Sequence, residues 1–199
     1  MLEKLEIVLF DRADDEAPVR KPLHYQGCGL DNIYLVSGFH HAEKGGVLRS
    51  SVENVDDLHV LIALHLCTFR RPLTRREAVF LRKHVGITQA ELARRMGIGR
   101  NAIQLWERGR NWRRPVQLLL QLTVLASITE HACNMFGTNA QHIQRWEHRL
   151  SEMTKWLLEV GEEWPNSMQP PGFIADAVIG NWKLGTPATE TPPKNMVMV

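Results

Sequence analysis

The chain has 199 residues, 44% hydrophobic and 23% charged, an ordinary globular composition long enough for one sizeable core or two small ones. It has no run of 18 apolar residues, and its start, MLEKLEIVLFDRADDE, lacks the basic stretch and cleavage site of a secretory signal, so neither membrane insertion nor secretion is expected. The net charge of +2 conceals an asymmetry: residues 70–114 hold 13 Lys/Arg against 3 Asp/Glu, while residues 1–69 and 115–199 carry −5 and −3. A basic centre between acidic flanks points to a polyanionic partner, most simply nucleic acid.

Residues 1–53 read as a small β-rich module. Leu5–Phe10 is an apolar run of strand length, and Ile33–Phe39 (IYLVSGF) is a second, rich in β-branched and aromatic residues. Turn signals lie at Gly27-Cys28-Gly29, Asp31-Asn32 and Gly45-Gly46, the last followed by a possible third strand at Val47-Leu48. Over residues 54–71 the period changes to helical. Asn54 is placed to cap, Asp57 falls in the first turn, and Leu58, Leu61, Ile62, His65, Leu66 and Phe69 form one face of an amphipathic connecting helix.

Residues 72–132 hold a compact set of helices. Thr74-Arg-Arg-Glu77 is a capping box opening a helix that carries Phe80, Leu81 and Val85 and stops at Gly86. Thr88-Gln-Ala-Glu91 is a second box, opening a helix through Leu92, Ala93 and Met96 that stops at Gly97. A third helix runs from Arg100 to Arg108 and stops at Gly109. Three short helices joined by tight glycine turns inside the basic segment have the form of a helix-turn-helix. Pro115 opens a longer helix, apolar on most faces, that continues to about His131. Over 138–164, Ile143, Trp146, Leu150, Met153, Leu157, Val160 and Trp164 form a seam of about three heptads, suited to packing on the preceding helix or on a second subunit. Residues 165–199 are a Pro-rich tail, expected to be partly disordered, with one apolar patch from Phe173 to Trp182.

The segment ITQAELARRMGIGRNAIQLWERG, Ile87–Gly109, closely resembles the Cro/C1 (XRE) family of helix-turn-helix DNA-binding domains. Thr88-Gln89 opens the second helix, Leu92-Ala93 and Ile103 take core positions, Gly97 lies in the turn, and Trp106-Glu107-x-Gly109 ends the recognition helix. The resemblance covers some 40 residues with Thr74–Val85 as first helix. It implies a mainly α fold: a five-helix Cro/C1-like domain, C-terminal helices and the small N-terminal β-containing module. In this fold the third helix enters the major groove. Arg100, Asn101, Gln104 and Leu105 lie on its exposed side as base-reading candidates, and Ile103 and Trp106 point inward. Thr88 and Gln89 at the second helix, with Arg108, Arg110, Asn111, Arg113 and Arg114 after the third, are candidates for phosphate. By resemblance to phage repressors of the family, Arg82 and Glu107 form an internal ion pair. Gly99 stands where many members place Ser or Thr as N-cap.

A β-containing module, a connecting helix and a Cro/C1 domain also resemble the MqsA/YgiT-type antitoxins, in which an N-terminal zinc module masks a toxin. The resemblance is partial: residues 1–53 hold only Cys28, and no Cys-x-x-Cys exists. His24, Cys28, His40 and His41 are a loose substitute set of metal ligands, and no metal or other cofactor is expected. The three cysteines, Cys28, Cys67 and Cys133, are too scattered for a disulfide framework, which fits a reducing, cytoplasmic setting. No phosphate loop, His-Glu-x-x-His or Gly-x-Ser-x-Gly occurs, and Asp56-Asp57 beside His59 fits a first helical turn, so catalysis is not expected. The expectation is a homodimeric regulator of double-stranded DNA, a repressor in the first reading. A toxin-binding antitoxin, a phage or mobile-element regulator and a ligand-sensing regulator are the alternatives.

Overall fold

Eight of the thirteen residues from Val55 to Cys67 are buried, so the helix expected to be amphipathic is instead enclosed on almost every side. In a computed structural model of the protein, residues 8–12, 22–67, 72–110, 113–136 and 182–184 are described, with helical positions at 144, 147–148, 151–152 and 154–155. The elements are β1 (Val8–Arg12), β2 (Leu23–His24), β3 (Ile33–Leu35), β4 (Phe39–Lys44), β5 (Val47–Val52), α1 (Val55–Cys67), α2 (Arg75–His84), α3 (Gln89–Arg95), α4 (Arg100–Glu107), α5 (Arg114–Phe136) and β6 (Trp182–Leu184). The heptad seam at 143–164 lies outside the described side chains, as does that of Cys133.

The N-terminal module holds two sheets. One has the order β2-β3-β1-β6, with β1 parallel to β3 and antiparallel to β6, and β2 antiparallel to β3. The run Ile33–Phe39 is not one strand. It leaves the first sheet after Leu35, bends through a residue with φ 73° at Gly38, and re-enters as β4, the first strand of a separate hairpin. In that hairpin Gly45 and Gly46 have φ 64° and 75°, the left-handed pair of a two-residue turn whose twist matches the strands it joins.

β6 was not legible as a strand. Trp182 is fully buried, lies opposite Arg12 in the β1–β6 ladder, and donates its indole N–H to the Glu53 carbonyl at 3.2 Å. Phe10, Ile33 and Leu35 meet α1 in a hydrophobic cluster that runs on through Leu81, Leu92 and Ile103 to Val124 of α5. α1 packs against α2, α5 and β6, and is the common support of the helices and the larger sheet.

Two buried glutamines one turn apart on α5 fasten the end of α1 and the start of α2. Gln117 Oε1 accepts from the Leu73 amide at 2.9 Å, and Gln121 Nε2 donates to the Leu66 carbonyl at 3.3 Å. The Cys67 thiol donates to the Gln121 carbonyl at 3.6 Å, and burial pushes its pKa far up, so it is an inert core group.

Asn54 has φ 43° and opens α1 through its carbonyl, which accepts from the Leu58 amide at 3.1 Å. Nearby, Tyr25 and His59 share a hydrogen bond of 2.8 Å, and the His59 ring meets Phe80 edge-on. Burial raises the Tyr25 hydroxyl to about 12 and lowers the His59 imidazole, the latter opposed in part by Asp56. The folded state therefore takes up the imidazole proton less readily than the unfolded chain. The stability His59 contributes is complete above its ordinary value of 6.5 and is lost as pH falls below it. Replacing His59→Gln should flatten the fall in Tm on the acid side of neutrality, measured by circular dichroism. An unchanged slope would assign the acid sensitivity to another group.

Candidate nucleic-acid interface

Two of the three helices of the central segment start on a threonine side-chain cap, and all three stop on the same local closure. At α2 the capping box is complete: Thr74 Oγ1 accepts from the Glu77 amide at 3.3 Å, and Glu77 Oε2 accepts from the Thr74 amide at 2.7 Å. At α3 only half of the expected box forms. Thr88 Oγ1 accepts from the Glu91 amide at 3.1 Å, but the Glu91 carboxylate turns outward to Arg94 and Arg95. Those two guanidiniums hold the Glu91 carboxyl down at about 2. At α4 the N-cap is Gly99, which supplies no side-chain hydrogen bond.

The three helices end alike. The amides two residues past each C-cap, at Ile87, Ile98 and Arg110, donate back to the carbonyls of Arg82, Ala93 and Leu105 at 3.0 to 3.1 Å. This Schellman closure needs a left-handed residue just before the donor, and in the α3–α4 turn Gly97 provides it with φ 63°. The returning Ile87 is buried and Ile98 half-buried, so each turn also contributes an apolar contact.

A buried ion pair sets how the three helices sit together. Arg82 of α2 donates from Nε to Glu107 Oε1 at 2.5 Å and from Nη2 to Oε2 at 3.1 Å, and from Nη1 to the Ile87 carbonyl at 2.8 Å. The two side chains are 10% and 9% exposed. Gln89, the first residue of α3, donates its side-chain amide to Glu107 Oε2 at 2.6 Å. The amide group expected to hold a phosphate is thus engaged inside the domain, and the spacing from 89 to 107 carries no local signal that would show it.

α4 is amphipathic across its eight residues. Ile103 and Trp106 are buried, whereas Arg100, Asn101 and Leu105 are exposed and Gln104 is half-exposed. Leu105, at 44% exposure, is an apolar side chain held in water on an otherwise polar face. Thr88, Arg108, Arg110 and Arg113 are exposed, and Arg114, in the first turn of α5, is half-buried. Asn111 lies outside the described residues.

The candidate metal ligands are not brought together. His24 bonds the Asp31 carbonyl at 2.9 Å and stacks on Tyr34, His40 pairs with Glu53, and His41 bonds Ser50 at 2.9 Å. Cys28 sits apart in the 27–29 loop, its pKa raised first by burial. Among the described residues no group of three or more His, Cys, Asp or Glu side chains is placed to hold a metal, and no helix is long and apolar enough to cross a membrane.

The helix-turn-helix family model matches residues 80–112, from Phe80 in α2 to just beyond α4. These residues are a Cro/C1-type helix-turn-helix, a DNA-binding unit. No curated protein and no solved structure matches the chain.

Replacing Glu107→Ala should cost about 3–5 kcal/mol in urea denaturation, because it leaves Arg82 buried without a counter-ion. At the turn, Gly97→Ala should cost about 1–2 kcal/mol, since an alanine is forced into the left-handed region. Gly99→Ser should instead stabilise by about 0.3 kcal/mol: the backbone already has cap geometry, φ −70° and ψ 143°, and nothing lies within 4 Å of a Cβ placed there.

Proposed function

We propose that the protein is a sequence-specific transcriptional regulator that binds a palindromic operator as a homodimer and represses transcription, including that of its own gene. The observation that supports this most directly is the outward face of α4, where Arg100, Asn101, Gln104 and Leu105 stand free while Ile103 and Trp106 anchor the opposite face. Arg100 suits the two acceptors of guanine and Asn101 the acceptor and donor of adenine, each worth about 1–3 kcal/mol of discrimination. Leu105 matches a thymine methyl. Thr88 at the start of α3 and Arg108, Arg110 and Arg113 after α4 are exposed and would contribute charge and hydrogen bonds to phosphates, which set affinity and register rather than sequence. Two copies would present their recognition helices about 34 Å apart, one turn of the duplex. The protein acts in the cytoplasm, without catalysis and without a cofactor.

A second reading, the toxin-neutralising antitoxin, is favoured by one feature. The β4–β5 hairpin exposes Val47 and Leu48 at its tip, at 56% and 57%, and such apolar exposure suits a protein partner.

Mobility shifts of the full chain on its own upstream DNA, at two salt concentrations, test the main reading. Arg100→Ala and Asn101→Ala should remove the preference for that DNA over random duplex and leave weak non-specific binding. The pair Arg108→Ala and Arg110→Ala should weaken binding on every sequence and lower the salt slope by about 1 for each phosphate no longer neutralised. If the Arg100→Ala change weakened all sequences equally, α4 would not be the reading element.

A further inference from the structure

The β4–β5 hairpin is covered only at its base, where Phe39 is buried and Val52 half-buried; beyond it, residues 40–43 and 47–51 are all exposed. A two-stranded sheet with neither face packed is marginal in water, and further strands are what stabilise it. The Glu53 amide donates to the Gly38 carbonyl at 3.0 Å, which fixes the alternation of the ladder. Residues 40 and 51, 42 and 49, and 44 and 47 therefore bond to each other within the hairpin. Phe39, His41 and Glu43 turn their backbone N–H and C=O groups to the outer edge of β4, and Leu48, Ser50 and Val52 do so along β5.

The edge of β4 is complementary to itself. Two copies of this strand, antiparallel and related by a dyad at Ala42, set His41 of each directly opposite Glu43 of the other. Both side chains are exposed and lie on one face of the hairpin, and both residues have outward backbone groups. Such a pair exchanges two backbone hydrogen bonds while an imidazole N–H donates to the carboxylate. His41 uses Nδ1 toward Ser50 at 2.9 Å, which leaves Nε2 for that contact. Other registers lack the match. A dyad at His41 sets imidazole against imidazole, and one at Glu43 sets carboxylate against carboxylate. β5 holds a single charged residue, Arg49, so no register of β5 on itself brings opposite charges together.

We propose that the outer edge of β4 is the dimer interface, and that its occupant is β4 of a second copy of this chain, antiparallel about Ala42. The product is a continuous four-stranded sheet in the order β5-β4-β4-β5, an isologous contact that closes both exposed ladders at once. β5, with the exposed Val47 and Leu48, becomes the outer strand. The proposal rests on the homodimer reading and names its surface. β5 ends at Val52 and α1 begins at Val55, so the shared sheet is joined through a short link to the helix that supports the helix-turn-helix. The spacing of the two α4 helices is then set by the sheet at the dyad.

The test is sedimentation equilibrium of the full chain without DNA. A dimer is expected. Glu43→Lys, which sets a cation opposite His41 twice in each dimer, should weaken it about tenfold. The exchange of His41→Glu together with Glu43→Lys should restore it, which a chain that failed to fold could not do. Ala42→Cys should yield a covalent dimer with oxidised glutathione, because a pair of this type brings its Cα atoms to about 4.5 Å, whereas Arg49→Cys and the wild-type chain should not. A monomeric wild-type chain would overturn this proposal and the homodimer reading together. A dimer unmoved by Glu43→Lys and not crosslinked in Ala42→Cys would overturn the β4 interface alone and leave the homodimer reading standing.

Discussion

The buried pair between Arg82 and Glu107 is the constraint on which the orientation of α4 depends. α4 has eight residues, too few to hold a helix in isolation, and its direction must come from what it packs on. Its anchors, Ile103, Trp106 and Glu107, all lie after its first three residues. The first turn, with Arg100 and Asn101, is left projecting. An ion pair at 10% and 9% exposure adds little net stability compared with an apolar contact of equal volume. Its value is geometric: two guanidinium donors in a fixed fork admit one arrangement of α2 against α4, and the Gln89 amide adds α3 to the same carboxylate.

That arrangement rests on α1. A helix buried on nearly all faces leaves its last carbonyls without water, and Gln121 and Gln117 of α5 supply the missing partners for the end of α1 and the start of α2. Because the sheet, α1 and the helix-turn-helix share one hydrophobic cluster, a change at the Tyr25–His59 contact reaches Phe80 of α2 through packed rings rather than across a linker.

The helix-turn-helix was legible in the sequence because its information is local. Threonine caps, glycine stops and the alternation of Ile103 and Trp106 with polar neighbours each act within a few residues, and all agree with the structure except for the outward turn of Glu91. What was hidden depends on distant partners. The apolar residues of α1 read as one helical face, because nothing in its own sequence shows that a sheet covers the other side. The run from Ile33 to Phe39 is continuous in composition, yet Gly38 divides it between two sheets. Gln89 fits a phosphate by motif, and its engagement with Glu107 appears only when residues eighteen apart are brought together. Trp182 read as part of a tail, since a strand of three residues has no period of its own.

That short strand bears on the order in which the protein can be made. β1 leaves the ribosome some 170 residues ahead of its partner β6. The central helices, rich in near-neighbour contacts, can close while synthesis continues, whereas the edge of β1 and the space filled by the Trp182 indole stay open until residue 184 is free. The nascent chain thus passes through a long interval with a finished helix-turn-helix and an unfinished sheet.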